Sequence, residues 1–373
     1  MSVRLVREAA VRAVDLAEAA AALGTFGVGG VLLGAHFEPL RECGNRVVKD
    51  GQTADPTAHV ERQFIDWYFA ARRQGINLPP PQQCTIISSL DPCMQCTGAI
   101  LATGFRCLAI APDAMAGVHY AGWESLDSLP RELRGAAVRS LGCFAVSGKR
   151  GYIGPEDPIL SSTELDKSLL ARSENALLVS LDTAQGVVAA SGSEQPFSHA
   201  SVRGLQAEGD DVQIEALPDA EPGTVHELML RMALPRGGKA SDVACLVDHK
   251  NAIAVFAQGR TENSPIRTAI MQLVRGYAKL RWRAVRKSGP TPSHPKDCVL
   301  YTLEGPGCDP LGVMAIGAVG SSLEGPVSQP QSYWRYFRAT QSPAELSAML
   351  AAFPPLYRDV IRIHPVLCNA PTD

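Results

Sequence analysis

The chain has 373 residues, 46% of them hydrophobic and 20% charged, with a formal net charge of -3. That length predicts two domains, with ample apolar mass for a core, and the acidic balance argues against a broad basic footprint for nucleic acid. The first residues, Met1 to Glu8, place charges where a secretion signal needs an apolar run. No stretch of about eighteen apolar residues offers a membrane span. Ten cysteines without such a signal point to a reducing compartment, and a cytoplasmic location is the expectation. Cys43, Cys84, Cys107, Cys143, Cys245, Cys298 and Cys368 read as small buried hydrophobes.

Residues 3 to 22 carry Val6, Ala10, Ala13, Leu16, Ala17 and Ala20 at helical spacing, and Gly24 and Gly27 stop that helix. Short strands are predicted over 28–33 and 39–43. Asp55-Pro56 opens a helix running to about Arg73. A strand over 84–88 leads to Pro92 and a helix ending near Gly104. A strand over 107–111 and a helix over 133–141 follow. This alternation predicts a three-layer α/β/α sandwich around a mixed sheet. Residues 161–175 read as a connection between a first domain, 1–160, and a second, 176–373. Beyond it, strands are predicted over 176–181 and 186–190, then a loop rich in Gly, Asp, Glu and Pro over 205–223. A helix over 224–232, strands over 243–247 and 252–257, a helix over 265–282, a strand over 298–303 and a short helix from Gly312 repeat the order of the first half.

Two short motifs carry the chemistry. His59-Val60-Glu61 precedes Pro92-Cys93-Met94-Gln95-Cys96 by about thirty residues. Cysteines at i and i+3 share one face of a helical turn, and a histidine on a second helix can meet them. One nitrogen and two sulfurs suit Zn²⁺ and leave a fourth position for water. Glu61 can then move protons at that water without binding the metal. H-x-E followed by P-C-x-x-C is the pattern of zinc nucleobase deaminases.

A wider resemblance surrounds these motifs. Asp55-Pro56-Thr57-Ala58-His59-Val60-Glu61 and Ser89-Leu90-Asp91-Pro92-Cys93-Met94-Gln95-Cys96-Thr97-Gly98-Ala99-Ile100 resemble the paired motifs of the tRNA adenosine and guanine deaminases in the cytidine deaminase-like superfamily. So do Phe26-Gly27-Val28-Gly29-Gly30-Val31-Leu32 before them and Asp113-Ala114 with Gly117 after them. The resemblance covers about residues 5 to 150. It implies one zinc ion per chain, in the first domain, on His59, Cys93 and Cys96, with Glu61 as proton shuttle. It also implies Asn45 as a contact to the base edge, with Val28, Ala58 and His119 beside the substrate. Val60 stands where these relatives have alanine, and Gln95 where many have methionine.

The second half echoes the first without its ligands. Pro265-Ile266-Arg267-Thr268-Ala269-Ile270 lies over Pro56 to Glu61, so Thr268 replaces the histidine and Ile270 the glutamate. Tyr301 to Cys308 resembles the strand and turn before the cysteine pair, with Cys308 alone remaining. The implied picture is a tandem of two deaminase-type sandwiches. The second is degenerate and stands in for the partner subunit that walls the active site in dimeric relatives. Further oligomerisation stays open. The expected substrate is an amino-substituted nucleobase, nucleoside or related heterocycle. Two alternatives remain: editing of adenosine in tRNA, and a noncatalytic scaffold that keeps zinc for structure. The basic run Arg281, Arg283, Arg286 and Lys287 reads as a solvated helix end or an RNA phosphate contact. Tyr333, Trp334 and Phe337 read as packing residues.

Overall fold

The computed structural model describes residues 2–189, 212–217, 219–233, 242–287, 291–303, 317, 334–337 and 342–369. In the first half the elements run α1 (Ser2–Ala22), β1 (Gly29–Leu33), β2 (Pro39–Gly44), the small hairpin β3 (Val48–Lys49) and β4 (Gln52–Thr53), and α2 (Val60–Arg73). Then come β5 (Thr85–Leu90), α3 (Met94–Thr103), β6 (Arg106–Ala111), α4 (Arg131–Ser140), β7 (Leu141–Cys143) and β8 (Ala145–Val146). The short helix α5 (Pro158–Ser161), β9 (Glu164–Leu165) and the long helix α6 (Lys167–Ala189) close the half.

The sheet has the order β2-β1-β5-β6-β7. Strand β1 is antiparallel to both its neighbours, and β5, β6 and β7 are parallel. Successive strand residues point to opposite faces, and the sequence supplies apolar groups for both. Val31, Leu33, Ile87, Leu108 and Ile110 pack with Val6, Ala10 and Val14 of α1 and Leu169 of α6. Leu32, Ile86 and Cys107 pack the other way, with Phe64 and Tyr68 of α2 and Ile100 of α3. The result is the expected three-layer sandwich. Helix α1 lies so close to the sheet that a Cβ on Gly29 would stand 2.3 Å from the Ala13 carbonyl oxygen. The alanine face of α1 and the bare Gly29 permit that approach.

Three local expectations differ from the structure. The helix expected from Asp55 begins at Val60. Ahead of it, the Ala58 N–H donates to the Asp55 carbonyl, and the Thr57 N–H and hydroxyl both donate to the Asp55 carboxylate. An Asp-centred turn therefore takes residues that the proline seemed to assign to the helix. The strands expected over 176–181 and 186–190 are one continuous helix, α6. Short apolar runs do not separate strand from buried helix; the buried set Leu169, Ser173, Ala176, Ser180 and Ala184 has helical spacing. The segment 161–175 holds β9 and the first turns of α6 instead of a free connection. Arg172 pairs with Asp15 and Glu18 of α1, at 2.7 Å to each, and the Gly27 N–H donates to the Ser180 hydroxyl at 2.7 Å. Helix α6 is thus built into the first sandwich.

The second half comprises β10 (Gln213–Ala216), α7 (Pro222–Ala233), β11 (Val243–Asp248), β12 (Ile253–Gln258), α8 (Ala269–Arg286), β13 (Val299–Leu303), β14 (Trp334–Phe337), α9 (Pro343–Ala351) and β15 (Pro365–Leu367). Strand β10 lies within the stretch expected as loop. The sheet order is β10-β12-β11-β13-β14-β15. Strand β11 is antiparallel to β12 and β13, while β13, β14 and β15 are parallel. From β12 onward this is the order and direction of the first sheet, with β10 added at one edge. Cys308, Tyr333 and the start of the helix expected from Gly312 lie outside the described residues. Trp334 and Phe337 are buried, as packing residues should be.

The two halves share apolar surface. Phe64 and Tyr68 of α2 belong to one buried cluster with Leu273, Tyr277 and Leu280 of α8. Polar ties flank it: the buried Arg62 donates to the Ile266 carbonyl at 3.1 Å, and Arg275 meets Asp55 at 2.9 Å. Arg286 at the end of the basic run pairs with Asp50 at 2.8 Å, and Arg281 bonds the Pro292 carbonyl.

Candidate metal centre

Two helix starts bring the ligands together. His59 is the N-cap of α2, with extended backbone at φ -68 and ψ 154. Cys93 is the N-cap of α3, at φ -68 and ψ 172, and Cys96 lies one turn on. Helix α2 packs on α3, so the three side chains converge. Their ligand atoms all lie within 4.8 Å of one another, and Cys93 Sγ stands 3.5 Å from His59 Nδ1. Among the described residues no other His, Cys, Asp or Glu joins this trio. Cys84 and Cys107 are buried in the core and His119 is engaged elsewhere, so none of them supplies a fourth ligand. One imidazole nitrogen and two sulfurs fit Zn²⁺ with an open coordination position.

The electrostatics of the cysteine pair follow from its place. Both residues are buried at a helix N-terminus, where exposed N–H groups favour negative charge. The Cys93 thiol is held well below its ordinary range, first by the hydrogen bond from the Cys96 side chain, then by His59 and the Cys96 backbone N–H. Cys96 is pushed up, first by burial and then by the neighbouring Cys93. A metal that takes both sulfurs resolves this unequal pair into two thiolates. Nδ1 of His59 faces the sulfur, and Nε2 lies 3.0 Å from the carboxamide nitrogen of Gln95. Gln95 thus braces the far side of the ring, a part the apolar methionine of relatives does not play.

Glu61 sits in the first turn of α2, 3% exposed. Its carboxylate accepts a 2.7 Å hydrogen bond from the Ser88 hydroxyl on β5. Burial raises its proton affinity, and the Ser88 bond works against that rise. A carboxylate held this way is placed to take up and release protons near neutral pH.

Asn45, Val28 and Ala58 gather beside the trio through the backbone. The Asn45 N–H donates to the Val28 carbonyl at 2.8 Å and the Arg46 N–H to the Ala58 carbonyl at 3.1 Å. Gln63 of α2 donates to both the Gly44 and Ala58 carbonyls at 2.9 Å. The Asn45 side-chain oxygen accepts from the Thr25 hydroxyl at 2.7 Å and from the Val47 N–H at 2.9 Å. This fixes which end of the carboxamide is spent on the fold. His119 takes a different place. Its Nδ1 is 2.7 Å from Asp91 Oδ1, and its backbone N–H donates to Asp91 Oδ2 at 2.9 Å. Trp123 lies 5.3 Å from the His119 ring, with the Arg150 guanidinium 4.2 Å above the indole.

Ser88, Gln95 as a brace, Asp91 as the anchor of His119, and Tyr357 from the far end of the chain were not singled out from the sequence. Asp91 and Gln95 lie inside the cysteine motif and were open to notice. Ser88 and Tyr357 carry no sequence signal, because their roles depend on what folds against them.

Residues 5–111 match the family described as the cytidine and deoxycytidylate deaminase zinc-binding region. This N-terminal part of the chain is therefore of the cytidine deaminase-like superfamily, a zinc-binding deaminase type, and zinc is the cofactor that the trio fits. No curated protein matches the chain at a significant level. Three solved structures are similar to it. One comes from work on A-to-I editing by tRNA:A34 deaminases, at 24% identity over 29% of this chain and 77% of that one, with a TM-score of 0.23. A second is the guanine deaminase from Nitrosomonas europaea, at 16% identity over 48% of this chain and 84% of that one, with a TM-score of 0.28. The third is a mutant in complex with 8-azaguanine, at the same identity and coverage and a TM-score of 0.29. Likeness at this level carries no argument about substrate or partner. No described helix is long and apolar enough to cross a membrane.

Proposed function

We propose that this chain is a zinc-dependent hydrolytic deaminase that releases ammonia from an amino-substituted nucleobase, nucleoside or related heterocycle. The observation that carries the proposal is the three-ligand cluster with Glu61 beside it, buried, bonded to Ser88 and outside the ligand set. A purely structural zinc would call for a fourth protein ligand and has no use for that carboxyl group. When bound, zinc supplies a Lewis acid that makes water a usable nucleophile near neutral pH. Glu61 takes the proton of the attacking water, passes it to the ring nitrogen of the substrate, and then protonates the leaving amine. Such a positioned acid–base group contributes about 10²–10⁴-fold.

Substrate orientation falls to the group around Asn45. Its side-chain oxygen is committed to Thr25 and Val47, so its amide N–H bonds are the part offered to a ring nitrogen or carbonyl oxygen. Val28, Ala58 and His119 complete the walls in this reading. The net charge of -3 favours a small heterocycle over a long polyanion.

The domain organisation belongs to the same proposal. Residues 1–189 form the catalytic sandwich, and the rest is a noncatalytic copy whose α8 covers α2. The matching strand order and direction support this, as do the shared apolar cluster and the equivalent helix starts at His59 and Thr268.

The test is ammonia release by zinc-loaded protein across purines, pyrimidines, their nucleosides and heterocyclic amines, with and without tRNA. Turnover of a free compound that Glu61→Gln abolishes while retaining zinc is the expected result. Turnover that requires tRNA would move the substrate to RNA. No release from any member of the panel would leave a zinc-stabilised scaffold.

A further inference from the structure

The C-terminal segment after α9 crosses back to the metal centre. The Leu356 N–H donates to the Met115 carbonyl at 2.8 Å, and the Tyr120 hydroxyl donates to the Ala352 carbonyl at 3.0 Å. Met115 and Tyr120 belong to the loop that flanks the first ligand cysteine. In that loop Gly117 forms a β-bridge with Cys93, and the Val118 N–H donates to the Pro92 carbonyl at 2.9 Å. The strap therefore lies on the same loop that lies on Cys93.

Tyr357 is the residue this arrangement delivers. It is 3% exposed and belongs to the same buried cluster as Met94 and Val118. The Phe353 ring stands edge-on to it, with centroids 5.8 Å apart. Its hydroxyl oxygen receives the backbone N–H of Met94, the first residue of α3, and lies within the electrostatic reach of Cys93 and Cys96. The next donors of that helical turn are also accounted for. The Cys96 N–H turns to the Cys93 sulfur. Gly317, also from the second half, approaches Gln95 so closely that a Cβ there would stand 2.4 Å from the Gln95 nitrogen. Two points of the second half thus press on the turn that carries both sulfurs.

We propose that Tyr357 is a positioning residue of the metal site, whose hydroxyl, planted by the C-terminal half, fixes the first turn of α3 and with it the two sulfur ligands. The inference rests on the zinc reading given above. A phenol is both acceptor and donor. With the Met94 N–H accepted, its own proton remains for a neighbouring thiolate. Burial, reinforced by the nearby negative groups, keeps the hydroxyl protonated. Partners that orient metal ligands in this way are worth about 10–100-fold in metal affinity. The second half is then a structural component of the metal site as well as a cover for it.

Full-length wild type, Tyr357→Phe and Tyr120→Phe decide the matter. Tyr120→Phe removes a hydroxyl from the same strap without touching α3. Each protein is loaded with Co²⁺ and its sulfur-to-cobalt charge-transfer absorption recorded. Zinc-loaded samples are challenged with a chelator. The expected result is a shifted band and about tenfold faster zinc loss in Tyr357→Phe, with a melting temperature close to wild type and Tyr120→Phe unchanged in band and release. A Tyr357→Phe protein with wild-type spectrum and release overturns the inference alone. Equal shifts in both variants also overturn it, because general loosening of the strap would then account for them. A wild type that takes up neither metal overturns the inference together with the zinc reading.

Discussion

Helix α2 follows the β1–β2 pair and starts after His59; helix α8 follows the β11–β12 pair and starts after Thr268. Both caps have extended backbone, and in both halves the second helical residue faces the same demand for a partner. The side chains at those points diverge. In the first half His59 makes no side-chain capping bond, and its ring is turned to Cys93. In the second half the Thr268 hydroxyl accepts the Met271 N–H, and the buried Asp242 accepts the Ala269 N–H at 2.9 Å. Glu61 reaches Ser88, whereas Ile270 packs beside the apolar cluster. The contrast shows what a metal site costs a fold: a helix start that forgoes ordinary capping, and a carboxyl group buried where an aliphatic residue would serve. The half without the site fills both positions with stabilising groups.

The largest effects should come from breaking the first half at its ligands. His59→Ala or Cys96→Ser should reduce zinc from about one ion per chain to background, by elemental analysis, and remove ammonia release. Metal uptake by wild type should weaken as pH falls, because both thiols must lose protons on binding. Potentiometric or indicator titration would show that slope, and pH-independent uptake would argue against a two-thiolate site.

Glu61→Gln should lower turnover by about 10²–10⁴-fold with zinc content unchanged. Zinc loss in this variant would mean that the carboxylate is a ligand. A smaller effect is expected for Asn45→Asp. It keeps oxygen acceptors for Thr25 and Val47 and removes the N–H donor. KM should rise by about tenfold, the size of one hydrogen bond of about 1.4 kcal/mol, while the melting temperature holds. An unchanged KM would release Asn45 from the substrate site.

The smallest change sharpens the comparison from the other side. Thr268→Ala should cost about 1 kcal/mol of stability as a lost helix cap, read by denaturant unfolding. Zinc content should not move. A loss of zinc in Thr268→Ala would mean that the second half holds metal after all.

Much of the catalytic half is written locally. The ligand trio, Glu61 and the strand–helix alternation follow from residue type and spacing, because a cysteine pair one turn apart and a histidine at a helix start are short-range facts. The alanine face of α1 and the apolar strands β1, β5 and β6 are equally local. Where residues 176–181 were concerned, a short apolar run fitted strand and helix alike, and contact with α1 and Gly27 decided for helix. At Asp55 a side chain took the backbone donors that the proline pattern had assigned to a helix.

The sequence by itself determined the metal ligands, the proton carrier and the class of fold, since each depends on chemistry and periodicity within a few residues. Only the tertiary structure decided that Ser88 meets Glu61, that Asn45 spends its oxygen on the fold, and that Tyr357 returns from near the end of the chain to the helix carrying the sulfurs. Those contacts join residues 20 to more than 260 positions apart, and no local pattern encodes them because their energy arises only when separate elements pack.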